Sequence, residues 1–223
     1  PTKTEQSDLM QALYGRNGEC PVVVLAASTP GDCFRFAFEA SKIAMEHMTP
    51  VILLTDGFIA NGSQPWRIPQ MSDYPAICPP VVEAHDDDEA FMPYARDARH
   101  IRGWAFPGKA GLEHRIGGLE KHCLKGCISY EPSNHQEMVR TRAAKVAAVV
   151  DDLPRQEVTG ATEGDLLVVS WGGTRGHVQS AVEQLREEGK CISLCHFNYI
   201  NPMPRGVREI LRGFRRIVVC ELN

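Results

Sequence analysis

The tightest constraint on the fold is a pair of short, uninterrupted apolar runs separated by one amphipathic helix. Cys20 to Ala27 and Val51 to Leu54 lack the alternation of a half-exposed strand, and their lengths suit strands buried on both faces. Between them Thr29 precedes Pro30, whose fixed φ suits the first helical position, and Asp32 completes the cap. Cys33, Ala37, Ala40 and Ala44 then follow along one helical face. Strand, helix and strand predict a right-handed βαβ unit, whose ligands by general rule gather beyond the C-terminal strand ends. That rule puts Ala27-Ser28-Thr29 and Thr55-Asp56-Gly57-Phe58 at the functional edge.

A second unit is expected downstream. Leu166 to Trp171, Cys191 to Phe197 and Arg216 to Leu222 read as strands, separated by helices over Gly176 to Glu188 and from Pro204 toward Arg212. Val178, Val182 and Leu185 face inward from the first of these helices, and Gly189 ends it. Three parallel strands alternating with helices make half of a doubly wound sheet. Upstream, Thr2 and Glu5 form a capping box for a short helix with Leu9, Met10, Leu13 and Tyr14 on its apolar side. Ser133 and Gln136 cap a longer helix carrying Val139, Val146 and Val150, which ends at Asp151-Asp152-Leu153-Pro154. From Gly62 to about Glu131 the periodicity dissolves, so this stretch is read as an ordered functional excursion or a linker.

Composition narrows the class of partner. The 24 Lys and Arg against 28 Asp and Glu leave a net charge of −4 and no basic stripe to follow a phosphate backbone, which argues against nucleic acid. The longest apolar run, Val22 to Ala27, is six residues, far short of the roughly 20 of a membrane span, so a cytoplasmic chain away from the membrane is expected. The eight cysteines sit mostly in apolar runs and are read as reduced, buried thiols. His122-Cys123-x3-Cys127 has some zinc character, with His114 or His135 as a further ligand, but a plain loop is the stronger reading. Cys191, Cys195 and His196 are assigned to the core, and no spacing suits an iron-sulfur cluster. The start at Pro1 and the stop at Asn223, just past a strand-like run, look like cut ends.

Three local motifs carry some chemistry. Gly172-Gly173-Thr174-Arg175-Gly176 follows a strand and opens a helix, where backbone N–H groups can cradle a phosphate, although tight-turn packing also explains the glycines. His85-Asp86-Asp87-Asp88-Glu89 has carboxylates for a hard cation but no turn to converge them, which favours a solvated acidic loop. Glu113-His114-Arg115 joins an acid, an imidazole and a guanidinium in a Gly-flanked loop, with salt-bridged packing as the default. No hydrolase signature is present, and these residues by themselves specify no reaction.

Taken together, several segments form a recognisable set. Pro1-Thr2-Lys3-Thr4-Glu5-Gln6-Ser7-Asp8-Leu9, Thr49 through Asn61, Pro65-Trp66-Arg67-Ile68-Pro69, Gly111 through Lys121 and Ser129 through His135 are collinear with the alpha subunits of 2-oxoacid:ferredoxin oxidoreductases. The chain resembles that family over almost its whole length, and its 2-oxoglutarate branch more than the pyruvate or branched-chain branches. The resemblance implies part of a pyrimidine-type thiamine-diphosphate-binding domain over residues 1–70. A connecting excursion and helix follow over 71–153, then an incomplete transketolase C-terminal-like parallel α/β domain over 154–223.

It further implies oxidative decarboxylation of 2-oxoglutarate to succinyl-CoA with reduction of ferredoxin. Thiamine diphosphate and its magnesium are shared with a beta subunit, within a higher oligomer of the heteromer. Iron-sulfur cluster and CoA belong to the complex and are not bound by this chain, which agrees with the lack of a Gly-Asp-Gly motif and of any Cys-x2-Cys. The residues expected near substrate or cofactor are Lys3, Thr4, Glu5, Gln6, Asp56, Gly57 and Phe58, with Lys3 facing a substrate carboxylate; no catalytic residue and no metal ligand is assigned. The family's Tyr-Pro-Ile-Thr-Pro motif and its aminopyrimidine-protonating glutamate lie upstream of the matching segment and are not in this sequence, so the chain is not expected to catalyse alone. The residues leave open another 2-oxoacid substrate, a non-catalytic nucleotide- or phosphate-binding module built on the Gly172 turn, and a pure assembly scaffold.

Overall fold

A computed structural model describes residues 4–83 and 90–222. The described residues form two three-stranded sheets. In the first, β1 (Val23–Ala26) pairs in parallel with β2 (Val51–Leu54), Val23 opposite Val51 through Ala26 opposite Leu54. The helix joining them, α2 (Pro30–His47), starts as its cap residues dictate: Thr29 Oγ1 accepts from Asp32 N at 3.1 Å and Pro30 opens the first turn. Met48 closes it in the left-handed region with φ 45°. Every β1 side chain is buried, which is why the run has no polar alternation.

The second sheet places β3 (Gly164–Trp171) between β4 (Ile192–Phe197) and β6 (Phe214–Cys220), all parallel. Helix α5 (Arg175–Glu187) sets Val178 and Val182 against Val168, Ile192 and Leu194 on one face. On the other face Val207 and Ile210 of α6 (Val207–Arg212) pack with Leu167, Cys195, Phe197 and Phe214. Helices on both faces are the signature of a doubly wound parallel sheet, as the strand pattern predicts.

Several boundaries differ from the sequence reading. Helix α1 (Gln6–Tyr14) is capped by Glu5, whose N–H donates to Asp8 Oδ2 at 3.0 Å, because a short carboxylate three positions on can reach back to it. Helix α4 (Pro132–Ala148) begins at Pro132 rather than after Ser133, since proline needs no donor at the first position. A five-residue helix, α3 (Gly57–Asn61), directly follows Asp56.

The largest difference is β5 (Tyr199–Asn201), which leaves the end of β4 and pairs antiparallel with β1. The boundary drawn at residue 154 is therefore crossed, because the first sheet takes its third strand from beyond it. Tyr199 and the end of α4, with Val146 and Val149, share one core with Val23, Leu25, Phe36 and Ile43. The 62–131 excursion is strapped to α2, which favours ordered structure over a linker. Trp104 Nε1 donates to Met45 O at 2.7 Å, Cys78 N donates to Glu46 Oε1 at 3.0 Å, and Phe34 meets the Trp66 ring at 5.4 Å.

Candidate functional site

The C-terminal ends of β1, β2 and β3 converge, as the strand-end rule requires, on a cavity of about 820 Å³. Thr4, Asp8 and Ala12 from the α1 side form one wall, Ile52 through Gly57 a second, and Trp171 through Thr174 a third. The lining mixes apolar β2 side chains with hydroxyls and amides from Thr4, Thr55, Thr174 and Asn61, the character of a small-molecule site.

Asp56 organises two of these walls. Its Oδ1 accepts from Ile59 N at 2.9 Å and so caps α3, while its Oδ2 accepts from Gly173 N at 3.1 Å across 117 residues of sequence. Both carboxylate oxygens are thus spent on backbone N–H groups, one on each sheet's side of the cavity. A Cβ on Gly173 would lie 2.1 Å from Asp56 Oδ2, so any side chain there would have to displace the carboxylate. Gly172 adopts φ 61°, and Thr174 Oγ1 donates to Trp171 O at 2.7 Å to close the turn. The phosphate-cradle reading of this turn is thereby corrected, because the Gly173 donor is taken by a carboxylate, whose charge repels an anion.

Of the expected site residues, Thr4, Asp56 and Gly57 line the cavity. Glu5 and Gln6 form the cap and first turn of α1 beside it. Phe58 points elsewhere: it stacks on His177 at 4.9 Å and is half-exposed. Lys3 lies outside the described residues, as does the acidic run His85 to Glu89.

Sequence reasoning placed His196 in the core but missed its partners. Its Nε2 is 2.8 Å from Ser28 Oγ and its Nδ1 2.7 Å from Ser170 Oγ, so it joins the end of β1 to β3. Asn198 completes the seam, donating through Nδ2 to Ala26 O at 2.8 Å and also to Ser28 Oγ. Burial, reinforced by the Arg175 charge, pushes the His196 pKa down to about 4, so the imidazole is neutral at pH 7. No local signal marks such a residue, since a histidine in a buried strand looks alike with or without partners.

The other candidates resolve into packing. Among the described residues no group of three or more His, Cys, Asp or Glu side chains is placed to hold a metal, so the zinc reading of His122, Cys123 and Cys127 lacks its ligand set. His122 Nδ1 instead accepts from Leu124 N at 3.2 Å. His114 Nδ1 meets Leu112 O at 2.8 Å, and its ring stands edge-on to Phe91. Lys121 is buried, its ammonium donating to the carbonyls of Gly117 and Leu119 and so fixing that loop. All eight cysteines are free thiols, but the reading of them as buried is corrected: only Cys195 is buried, whereas Cys20, Cys78, Cys127 and Cys191 are exposed, so Cys191 is not a core residue. No helix among the described residues is long and apolar enough to cross a membrane.

The donor set also bears on thiamine diphosphate. A wall of Ile52 and Leu54 with scattered hydroxyls is compatible with an aromatic heterocycle, and among the described residues no carboxylate grouping is placed to hold a magnesium ion.

Parallel α/β layers meeting at such a strand-end cavity define a cofactor-binding α/β protein, and the sequence specifies which kind. The chain belongs to the pyruvate flavodoxin/ferredoxin oxidoreductase family, thiamine diphosphate-binding, whose pattern matches residues 1–128. Within it, the whole chain is 49% identical to the 2-oxoglutarate oxidoreductase subunit KorA of Mycobacterium tuberculosis, and covers 34% of that protein. It is 25% identical to the 2-oxoglutarate synthase subunit KorA of Methanothermobacter marburgensis, again over the whole chain and 58% of the relative. A solved 2-oxoglutarate:ferredoxin oxidoreductase from Magnetococcus marinus, with 2-oxoglutarate, coenzyme A and succinyl-CoA bound, superposes with a TM-score of 0.90 at 31% identity. That match covers all of this chain and 39% of the solved one. The chain thus spans about a third of the length of the Mycobacterium tuberculosis relative.

Proposed function

We propose that this chain is part of the alpha subunit of a thiamine-diphosphate-dependent 2-oxoglutarate:ferredoxin oxidoreductase, forming one wall of its cofactor and substrate site. The observation that carries the reading is the 49% identity, over the whole chain, to a 2-oxoglutarate oxidoreductase subunit. Thiamine diphosphate, when bound, supplies the electron sink for decarboxylating a 2-oxoacid. This chain's residues bind and exclude water. Ile52 and Leu54 offer an apolar wall to the pyrimidine ring, and Asp56 holds the β2 end and the Gly172 turn at fixed spacing across the cavity. Lys3, the residue before Thr4 in sequence, is assigned to a carboxylate of 2-oxoglutarate, a charge that needs a cation in a partly desolvated site.

The same reading divides the chain into a pyrimidine-type part over 1–70, a connecting part over 71–153 and a transketolase C-terminal-like part over 154–223, with Tyr199–Asn201 returned to the first sheet. A beta subunit supplies the magnesium diphosphate site and an iron-sulfur cluster, CoA takes the acyl group, and ferredoxin takes the electrons, in a cytoplasmic heteromer. The test is turnover by the complete alpha subunit assembled with its beta subunit. Reduction of a viologen dye that requires 2-oxoglutarate, CoA and thiamine diphosphate is expected, with KM for 2-oxoglutarate raised at least about tenfold in Lys3→Ala. Faster turnover of pyruvate or a branched-chain 2-oxoacid would reassign the substrate.

A further inference from the structure

A second cleft, of about 330 Å³, opens where α2, α5 and the segment after α4 meet, and it shares no lining residue with the strand-end cavity. Its lining carries three guanidiniums, those of Arg35, Arg155 and Arg175, against the single carboxylate of Glu157. These arginines come from three separate elements, so only the tertiary fold brings their charges together.

The donors are largely unspent. Arg155 makes no hydrogen bond or ion pair through its side chain with a described residue; its Nη2 lies over Gly206, 3.4 Å from where a Cβ would be. Arg175 approaches Asp32 Oδ2 only at 3.9 Å, and its side chain makes no hydrogen bond with a described residue. Arg35 gives one contact, to Asp32 Oδ1 at 3.2 Å, while its guanidinium stacks over Phe36 at 4.2 Å. Asp32 therefore offsets part of the charge of Arg35 and Arg175 but makes no contact with Arg155. The positive field is also felt by neutral His196 on the same wall, whose protonation Arg175 opposes.

Guanidinium forks in a concave site match the oxygens of a phosphate, and paired forks bind it with directional hydrogen bonds that a lysine cannot reproduce. The cleft is at the small end of ligand sites, and beside the apolar Pro154 and Pro204 its walls carry Gln156, Thr159, Gln179 and Asn198, a mainly polar lining that suits a compact polar group. We propose that this cleft binds a small phosphate monoester, with Arg155 and Arg175 taking the phosphate oxygens and Arg35 supporting them. The bound group would tie α2 to α5 across the junction of the two sheets.

Calorimetric titration of the intact assembled protein with AMP, and separately with inorganic phosphate, tests the proposal. Saturable AMP binding is expected, weakened at least about tenfold in Arg155→Ala and less in Arg155→Lys, with 2-oxoacid turnover unchanged in both variants. Equal affinity for AMP and phosphate would mean that the free anion suffices, and tighter AMP binding that the ester is read; either supports the site. Absence of saturable binding, or an Arg155→Ala affinity equal to that of the unmodified protein, overturns it. So does a loss of turnover in Arg155→Ala at saturating substrates, which would assign the cleft to the reaction itself.

Discussion

Asp56 and Gly173, 117 residues apart, close on each other through a 3.1 Å hydrogen bond from the glycine N–H to Oδ2, and the approach leaves no room for a Cβ. The contact ties the end of β2 to the turn after β3 and so sets the width of the strand-end cavity. Gly173→Ala is expected to push the Asp56 carboxylate away, costing about 1–3 kcal/mol as overpacking does. Denaturant midpoints, read beside cofactor affinity in the assembled protein, check this; an unshifted midpoint would show that the turn yields freely.

Asp56→Ala removes both a helix cap and a charge-assisted bond, for a loss of about 2–3 kcal/mol. Asp56→Asn keeps an acceptor for Ile59 N and should lose less. The order of the two variants in thermal melts is the readout.

His196 makes stability depend on acid. Its folded pKa of about 4 lies below the ordinary 6.5, so the folded state binds fewer protons than the unfolded chain between those values. Its contribution is complete above pH 6.5 and is lost as the pH falls toward 4, on the order of 2–3 kcal/mol. His196→Asn should flatten the melting profile in that window, and an unchanged acid limb would refute the assignment.

Lys145 acts in the alkaline range. Burial, then the charges of Arg102, Arg96 and Arg142, lower its pKa from 10.5 to about 8, although it donates to Met48 O at 2.7 Å. Between pH 8 and 10.5 the unfolded chain holds the extra proton, so this group makes stability rise with pH there. Lys145→Met should remove that rise, as pH-dependent denaturation would report.

Cys195 should resist modification. It is fully buried, and desolvation raises its thiol pKa to about 11, whereas Cys20, Cys78, Cys127 and Cys191 are exposed. Mass spectrometry after brief iodoacetamide treatment at pH 8 should find the exposed four labelled and Cys195 intact.

Legibility followed locality. The β1, α2 and β2 segments declare themselves through apolar runs and a Thr-Pro cap, and the strand-end rule then picks out Asp56 and Gly57 without reference to any distant residue. The three-residue strand β5 escapes detection, because Tyr-Ile-Asn has no periodicity to read and its place is fixed by pairing with β1. The same holds for the Gly172 turn: its glycines signal a tight backbone, but whether they serve a phosphate or a carboxylate depends on what the fold lays against them.

The sequence by itself thus determined the two α/β units, the strand ends that face the cavity, the reduced state of the thiols and the family, because each is written in short-range pattern or collinear motif. Only the tertiary structure decided that β5 returns to the first sheet, that Asp56 takes the Gly173 donor, that His196 bridges Ser28 and Ser170, and that Arg35, Arg155 and Arg175 share a cleft. Hydrogen bonds and burial are properties of atoms brought together in space. A buried polar group must find its partner wherever the packing places one, however far along the chain that partner lies.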